Sequence, residues 1–191
     1  MTTLSVEREE SILAGQTIAD GLYAEALDQF GSALERLARA YESDPEKRRD
    51  LGQDIHFQLW RSFQNYNFRC SLRTWVYRVA HHVAVSHIVR ERRIFSNLVS
   101  LEELENLPDK ADAQSAANRR MDMERLSALI LRLKPLDRQV IVCYLEDMDA
   151  ASTGEITGLS PANVAVRIHR IKNVLAKQFL QRLHEGENYA E

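Results

Sequence analysis

Cysteine is scarce in this chain of 191 residues. Only Cys70 and Cys143 occur, far apart and without the spacing of a metal site. That excludes a disulfide framework or a zinc module and predicts reduced thiols inside a cell. Glycine and proline are also few, at 7 and 4, which leaves no glycine-rich phosphate loop and no nucleophile elbow. Apolar runs are short. "VIVCYL" is among the longest, so no segment is expected to span a bilayer. The opening stretch, "MTTLSVEREESILAG", carries three glutamates and no apolar core, so no signal peptide is expected and the protein should be cytoplasmic. No clear alternation of period two occurs, which argues against sheets.

What is present is a globular mixture, 45% hydrophobic and 28% charged, long enough to bury a sizeable core. A net charge of −3 excludes a uniformly basic nucleic-acid binder, but the charge is unevenly spread. Residues 61–93 hold seven arginines against one acid, and 161–182 hold five Lys/Arg with no acid. Acidic stretches flank both. Two local basic patches can therefore meet a polyanion while the mean charge stays near zero.

Helical periodicity dominates. Residues 17–41 place Leu27, Phe30, Leu34, Leu37 and Tyr41 at three- and four-residue spacings. "SDPEKRRD" offers a cap, a proline and charges, a helix start. The helix it opens, about 46–64, carries Leu51, Ile55, Leu59 and Phe63 along one stripe. A polar-aromatic link, "QNYNFRCS", leads into the next helix. Residues 94–120 lose periodicity and are acidic and small-residue rich, the character of a flexible linker. Helices return from 121. The expected fold is all-α: three helices before the linker, four after it, in domains 1–93 and 121–191.

The most specific local pattern is "DAASTGEITGLSPANVAVRIHRIKNVL". A short helix ends at Gly158, which tolerates the left-handed conformation; Ser160 suits an N-cap and Pro161 the first helical position. Val164, Ile168, Ile171 and Leu175 share an inward face. Asn163, Val166, Arg167 and Arg170 are left outside. This is a helix-turn-helix layout, whose second helix lies in the major groove, where Arg and Asn reach base edges and phosphates. An ordinary helical hairpin with solvated arginines explains the periodicity equally, but not the absence of acids.

"SLRTWVYRVAHHVAVSHIVRERR", residues 71–93, combines aromatics, three histidines and five arginines with one acid, Glu91. Its histidines do not form a metal site: His82 and His87 are five apart and no carboxylate or cysteine cluster completes a shell. The spacing of His87 and Glu91 suits a surface pair. With no paired-acid site either, no catalytic activity and no cofactor are expected.

Two blocks in this order, "DLGQDIHFQLWRSFQNYNFRCSLRTWVYRVAHHVAVSHIVRERR" and "LKPLDRQVIVCYLEDMDAASTGEITGLSPANVAVRIHRIK", resemble the bacterial RNA polymerase sigma factors of the extracytoplasmic-function type. The resemblance covers roughly 18–93 and 121–181. It implies that Asp50, Gln53 and Asp54 contact the clamp helices of the largest polymerase subunit, with Trp60 anchoring the following turn, and that the flap is a second polymerase contact. It implies that the next segment binds and melts the promoter −10 element. Melting requires positive charge for phosphates, aromatic surfaces for stacking and a pocket for an extruded base. Arg69, Arg73, Arg78, Arg90, Arg92 and Arg93 supply charge, and Trp75 stands near the upstream edge of the melted region. Tyr66 and His82 match the base pocket. Relatives commonly carry asparagine where His82 stands, which bears on the identity of the captured base; they often carry an acid where Ser86 stands, and the two departures leave room for a sigma-like protein that has lost promoter activity. For Trp75 and Tyr66 a core aromatic is the alternative.

The resemblance further implies that Ser160, Asn163, Val166, Arg167 and Arg170 read the −35 element, and that an anti-sigma factor is a further partner. Acids of the linker, Glu102, Glu103 and Glu105, would mimic nucleic acid in the polymerase channel. Two other classes compete. A helix-turn-helix regulator that never joins polymerase explains residues 135–182 but not the aromatic-arginine block. A helical interaction protein with solvated basic faces requires no DNA at all.

Overall fold

The computed structural model describes residues 3–91 and 119–187. Arg92, Arg93 and the acids Glu102, Glu103 and Glu105 lie outside the described residues. Among the described residues seven α-helices run in the order α1 (Thr3–Tyr41), α2 (Pro45–Ser62), α3 (Leu72–Arg90), α4 (Arg119–Arg132), α5 (Pro135–Leu145), α6 (Ala150–Thr157) and α7 (Pro161–Glu187). A 3₁₀ turn, Phe63–Asn65, follows α2, and no strand occurs among the described residues. The division into three helices and four agrees with the periodicity.

The amino-terminal group is built on capped, amphipathic helices. Asp44 caps α2 by accepting from the N–H groups of Glu46 (2.9 Å) and Lys47 (3.0 Å), with Pro45 at the first helical position. Leu51, Ile55, Leu59 and Phe63 are all buried, as their stripe predicts. α1 extends the predicted 17–41 segment back to Thr3. Its Leu34, Leu37 and Tyr41 are buried, but Leu27 and Phe30 are only half-buried. The inward positions are taken by Ala19, Ala26 and Ala33, whose small side chains let α1 lie close against its neighbours. Ser71 caps α3 through the Thr74 N–H (3.0 Å), and α3 buries Val76, Tyr77, Ala80, Ala84 and Ile88. His87 pairs with Glu42, just past the end of α1 (3.0 Å), and Glu91 with Lys47 of α2 (2.6 Å), where their spacing suggested a pair with each other. Each side chain meets a partner that a neighbouring segment brings to it.

The carboxyl-terminal group has the helix-turn-helix geometry. Gly158 ends α6 in the left-handed region (φ 77°), its N–H donating to the Gly154 carbonyl at 2.8 Å. Gly154 sits where the chain returns over it: a Cβ there would stand 2.6 Å from the Leu159 carbonyl oxygen. Ser160 then accepts from the Asn163 N–H (3.3 Å) and α7 opens on Pro161. Val164, Ile171 and Leu175 are buried, and Ile168 is half-buried against the same core.

The two groups are in contact. α3 packs against α6 and α5, and α1 against α4 and α5. Their junction holds a buried polar layer. His81 is fully buried, with Nδ1 2.9 Å from the Tyr41 hydroxyl and Nε2 3.4 Å from Cys143 Sγ. Arg138, also fully buried, donates to the Leu133 carbonyl (3.0 Å) and to that of Leu131, and its guanidinium stands 5.3 Å from the Tyr41 ring centre.

Candidate nucleic-acid interface

Three surfaces carry the residues singled out by sequence. On α2, Asp50, Gln53 and Asp54 are exposed, one turn and less apart, opposite the Leu51–Ile55–Leu59 stripe. Trp60 is partly buried: its Nε1–H donates to Asp20 of α1 at 2.7 Å, so it fixes α2 against α1. Asp54 accepts from Arg90 of α3 at 3.2 Å, which joins a residue expected to meet polymerase to one expected to meet DNA. Both are well exposed, so this pair contributes little stability and yields easily to another partner.

The second surface lies between α2 and α3. A groove of about 680 Å³ runs past Trp75, Arg78, His82 and Arg90, with Asp54 and Ser62 on its α2 side. Trp75 is half-buried and directed by a bond from Nε1–H to Ser62 Oγ (2.9 Å). Its ring lies 5.2 Å from that of Tyr66, which in turn lies 4.6 Å from Phe68 and 6.1 Å from Phe63. The Tyr66 hydroxyl donates to the Cys70 carbonyl (2.8 Å) and burial raises its pKa. The structure thus joins the core and surface readings of these aromatics: the cluster is rooted on buried Phe63 and ends at exposed Phe68. Phe68 stands 69% exposed at φ 58°, a conformation that a bulky residue rarely adopts. No role for it follows from the sequence pattern, although the polar-aromatic link that contains it is a visible signal. His82 and Arg69 are exposed.

Arg73 and Arg78 of this surface face the other helical group. Arg73 donates through Nη2 to the main-chain carbonyl of Glu146, and its guanidinium lies 5.9 Å from the Tyr77 ring centre. Arg78 pairs with Glu155 of α6 at 3.5 Å. Glu146 also accepts two bonds from Arg36 of α1 (2.7 and 2.6 Å) and one from the Tyr77 hydroxyl (3.2 Å). No sequence pattern announces Arg36, Tyr77, Glu146 and Glu155, whose contacts join residues 69 to 110 positions apart.

The third surface is the outer face of α7. Asn163, Val166 and Arg170 are exposed, Val166 at 62%. Arg167 is turned aside to pair with Asp137, a nearly buried residue in the first turn of α5. Ser160 is held by its capping role.

Burial sets the protonation of the polar layer between the groups. It pushes the His81 imidazole down to about 3 and the Cys143 thiol up to about 12, so both are neutral at physiological pH. It lowers Arg138 to about 10, which leaves that residue charged. Among the described residues no group of His, Cys, Asp and Glu could hold a metal, and no helix is long and apolar enough to cross a membrane.

The family model described as sigma-70 region 2 matches residues 27–94, and that described as sigma-70, region 4 matches 123–175. The chain is 23% identical over 141 residues to RNA polymerase sigma factor YlaC of Bacillus subtilis, covering 73% of this chain and 82% of that one. It is 21% identical over 164 residues to ECF RNA polymerase sigma factor SigW of the same organism, covering 82% and 88%. In fold it is similar to CnrH in the structure of CnrH in complex with the cytosolic domain of CnrY. That match has a TM-score of 0.59 at 19% identity and covers 85% of this chain and 95% of that one.

Proposed function

This chain belongs to the sigma-70 family as an RNA polymerase sigma factor of the extracytoplasmic-function type, and from that premise we propose how its surfaces divide the work. A sigma factor binds core polymerase, recognises −10 and −35 promoter elements and directs initiation. The observation that carries the assignment is the ordered pair of matches, region 2 on α1–α3 and region 4 on α4–α7. A helix-turn-helix regulator that never joins polymerase leaves the first match unexplained.

In the proposed division, the exposed α2 acids Asp50 and Asp54, with Gln53, dock on the clamp helices, and Trp60 holds α2 at the correct angle on α1. The groove between α2 and α3 takes the separated −10 strand. Arg69, Arg78, Arg90, Arg92 and Arg93 meet phosphates; the Trp75–Tyr66–Phe68 cluster offers stacking faces, and His82 faces the captured base. On α7, Asn163 and Arg170 contact the −35 duplex and Val166 offers a methyl surface to thymine. Arg167 is held by Asp137 and orients the helix as much as it contacts DNA. The chain carries no chemistry of its own, which belongs to the polymerase, and it works in the cytoplasm.

An anti-sigma factor is its proposed regulator, supported by the likeness to CnrH, whose structure contains the cytosolic domain of CnrY. The decisive experiment is run-off transcription with purified core enzyme and a library of promoter fragments. Specific start sites are expected; none from any fragment, with no association with core enzyme, would overturn the assignment. In the same assay, glutamine at Glu102, Glu103 and Glu105 should alter initiation if these acids mimic nucleic acid.

A further inference from the structure

We propose that Asp137 is a positioning residue for −35 recognition: it holds the Arg167 guanidinium in one pose, aimed at a guanine of the duplex. The inference rests on the reading of α7 as the −35 surface. It adds to that surface a residue too buried to reach DNA itself.

Arg167 stands at the margin of α7. Asn163 and Arg170, four residues before it and three after, lie on the exposed face. Val164 and Ile171, three before and four after, are fully buried. The backbone at Arg167 is therefore fixed by the core, while its long side chain could lie along either face. Asp137 settles which. Arg167 Nη1 donates to Asp137 Oδ1, and the two side chains are 34% and 8% exposed.

Asp137 is a firm anchor. It lies in the first turn of α5, where the partial positive charge of a helix amino end favours a carboxylate. Its neighbour Arg138 is fully buried and donates to the carbonyls of Leu133 (3.0 Å) and Leu131, tying the start of α5 to the end of α4. Both partners of the pair thus sit on backbone that packing holds in place.

The tether leaves Arg167 able to bind. The bond uses Nη1, a guanidinium carries further N–H donors, and part of the side chain remains exposed. Those donors form a planar fork. Guanine is the base that offers the fork two acceptors in the major groove, O6 and N7. An arginine ordered before DNA arrives loses less side-chain freedom on binding, and it is kept from swinging to a phosphate or to the next base pair. A carboxylate behind the guanidinium therefore turns a general attraction for DNA into a base-specific contact.

The test uses the full chain and a duplex library randomised in sequence, from which the parent selects its preferred site. Affinities for that site and for each of its single-base variants are then compared among parent, Asp137→Asn, Arg167→Gln and the double variant. Arg167→Gln should erase a preference of roughly tenfold for guanine at one position. Asp137→Asn should reduce the preference at that same position to roughly twofold and spare the others. In the double variant Asp137→Asn should add nothing to Arg167→Gln. Asp137→Glu, which keeps the charge and moves it by one methylene, should give an intermediate preference. Charge alone predicts a different pattern, because removing an acid tightens binding to every duplex and leaves the ratios between them unchanged.

A guanine preference that survives intact in Asp137→Asn would overturn the proposal alone. So would a sharper one, which would mean that the pair withholds Arg167 from DNA. Binding that falls equally on all duplexes would also overturn it and leave Asp137 a purely structural residue. A parent that selects no sequence at all would sink the reading of α7, and the proposal with it.

Discussion

At the scale of single residues, two neighbouring histidines on α3 have opposite fates. His82 faces solvent in the groove between α2 and α3, and His81 is sealed beneath it against Tyr41 and Cys143. The sealed imidazole has a stability consequence with a definite sign. Its pKa is near 3 when folded and about 6.5 when the chain is unfolded, so the unfolded chain binds the extra proton between those values. Its contribution is intact above pH 6.5 and falls as pH drops toward 3, by up to about 1.4 kcal/mol per pH unit. Urea titrations between pH 4 and 7 should therefore give a flatter pH dependence for His81→Gln than for the parent. Equal slopes would contradict the buried neutral ring. His82 carries a specificity prediction instead. His82→Asn should change base preference at one position of the −10 element in a randomised promoter library and leave the −35 preference alone.

At the scale of elements, the turn between α6 and α7 is the most constrained piece of the fold. Gly158 needs its left-handed φ of 77°, and Gly154 needs to lack a Cβ because the Leu159 carbonyl passes 2.6 Å from where one would stand. Gly158→Ala should cost about 1 kcal/mol of stability from backbone strain. Gly154→Ala should cost more, about 1–3 kcal/mol, because backbone must move, and it should weaken −35 duplex binding by misplacing α7. Thermal melts and duplex titrations check both, and a Gly154→Ala protein with parental stability would refute the close approach. On α3 the relevant property is charge. If Arg90 meets one phosphate, Arg90→Ala should weaken single-strand binding regardless of sequence and reduce the log–log salt slope by about 0.7.

At the scale of the whole molecule, DNA that meets Arg73 and Arg78 would have to displace the Glu146 carbonyl and Glu155 from them. That displacement changes how salt acts. Arg36 is half exposed, so its pair with Glu146 weakens as salt rises, and the contact loosens while the attraction of α3 for phosphate declines. The two trends oppose each other. The salt dependence of oligothymidylate binding should therefore be shallower for the parent than for Arg36→Glu over roughly 50–200 mM salt, measured by fluorescence titration. Parallel slopes would mean that contact between the groups has no bearing on access to α3.

Local pattern was enough to find the helices of the described residues and most of the positions they bury, though not where α1 begins. Periodicity, the caps at Asp44 and Ser71 and the glycine at 158 are local, and local chemistry is written in adjacent residues. It also revealed the two cationic surfaces, because an absence of acids over twenty or more positions is visible without coordinates. It misjudged His87 and Glu91, and Leu27, where an intrahelical spacing suggested a partner or a face that a neighbouring helix supplied differently. Which residue each arginine meets within the chain follows from packing, since a side chain's partner depends on what the fold brings near it. Arg167 is held by Asp137, and Arg73 and Arg78 by residues more than seventy positions away. Contacts at such separations follow from how helices pack, a property of the assembled core that no stretch of sequence carries alone.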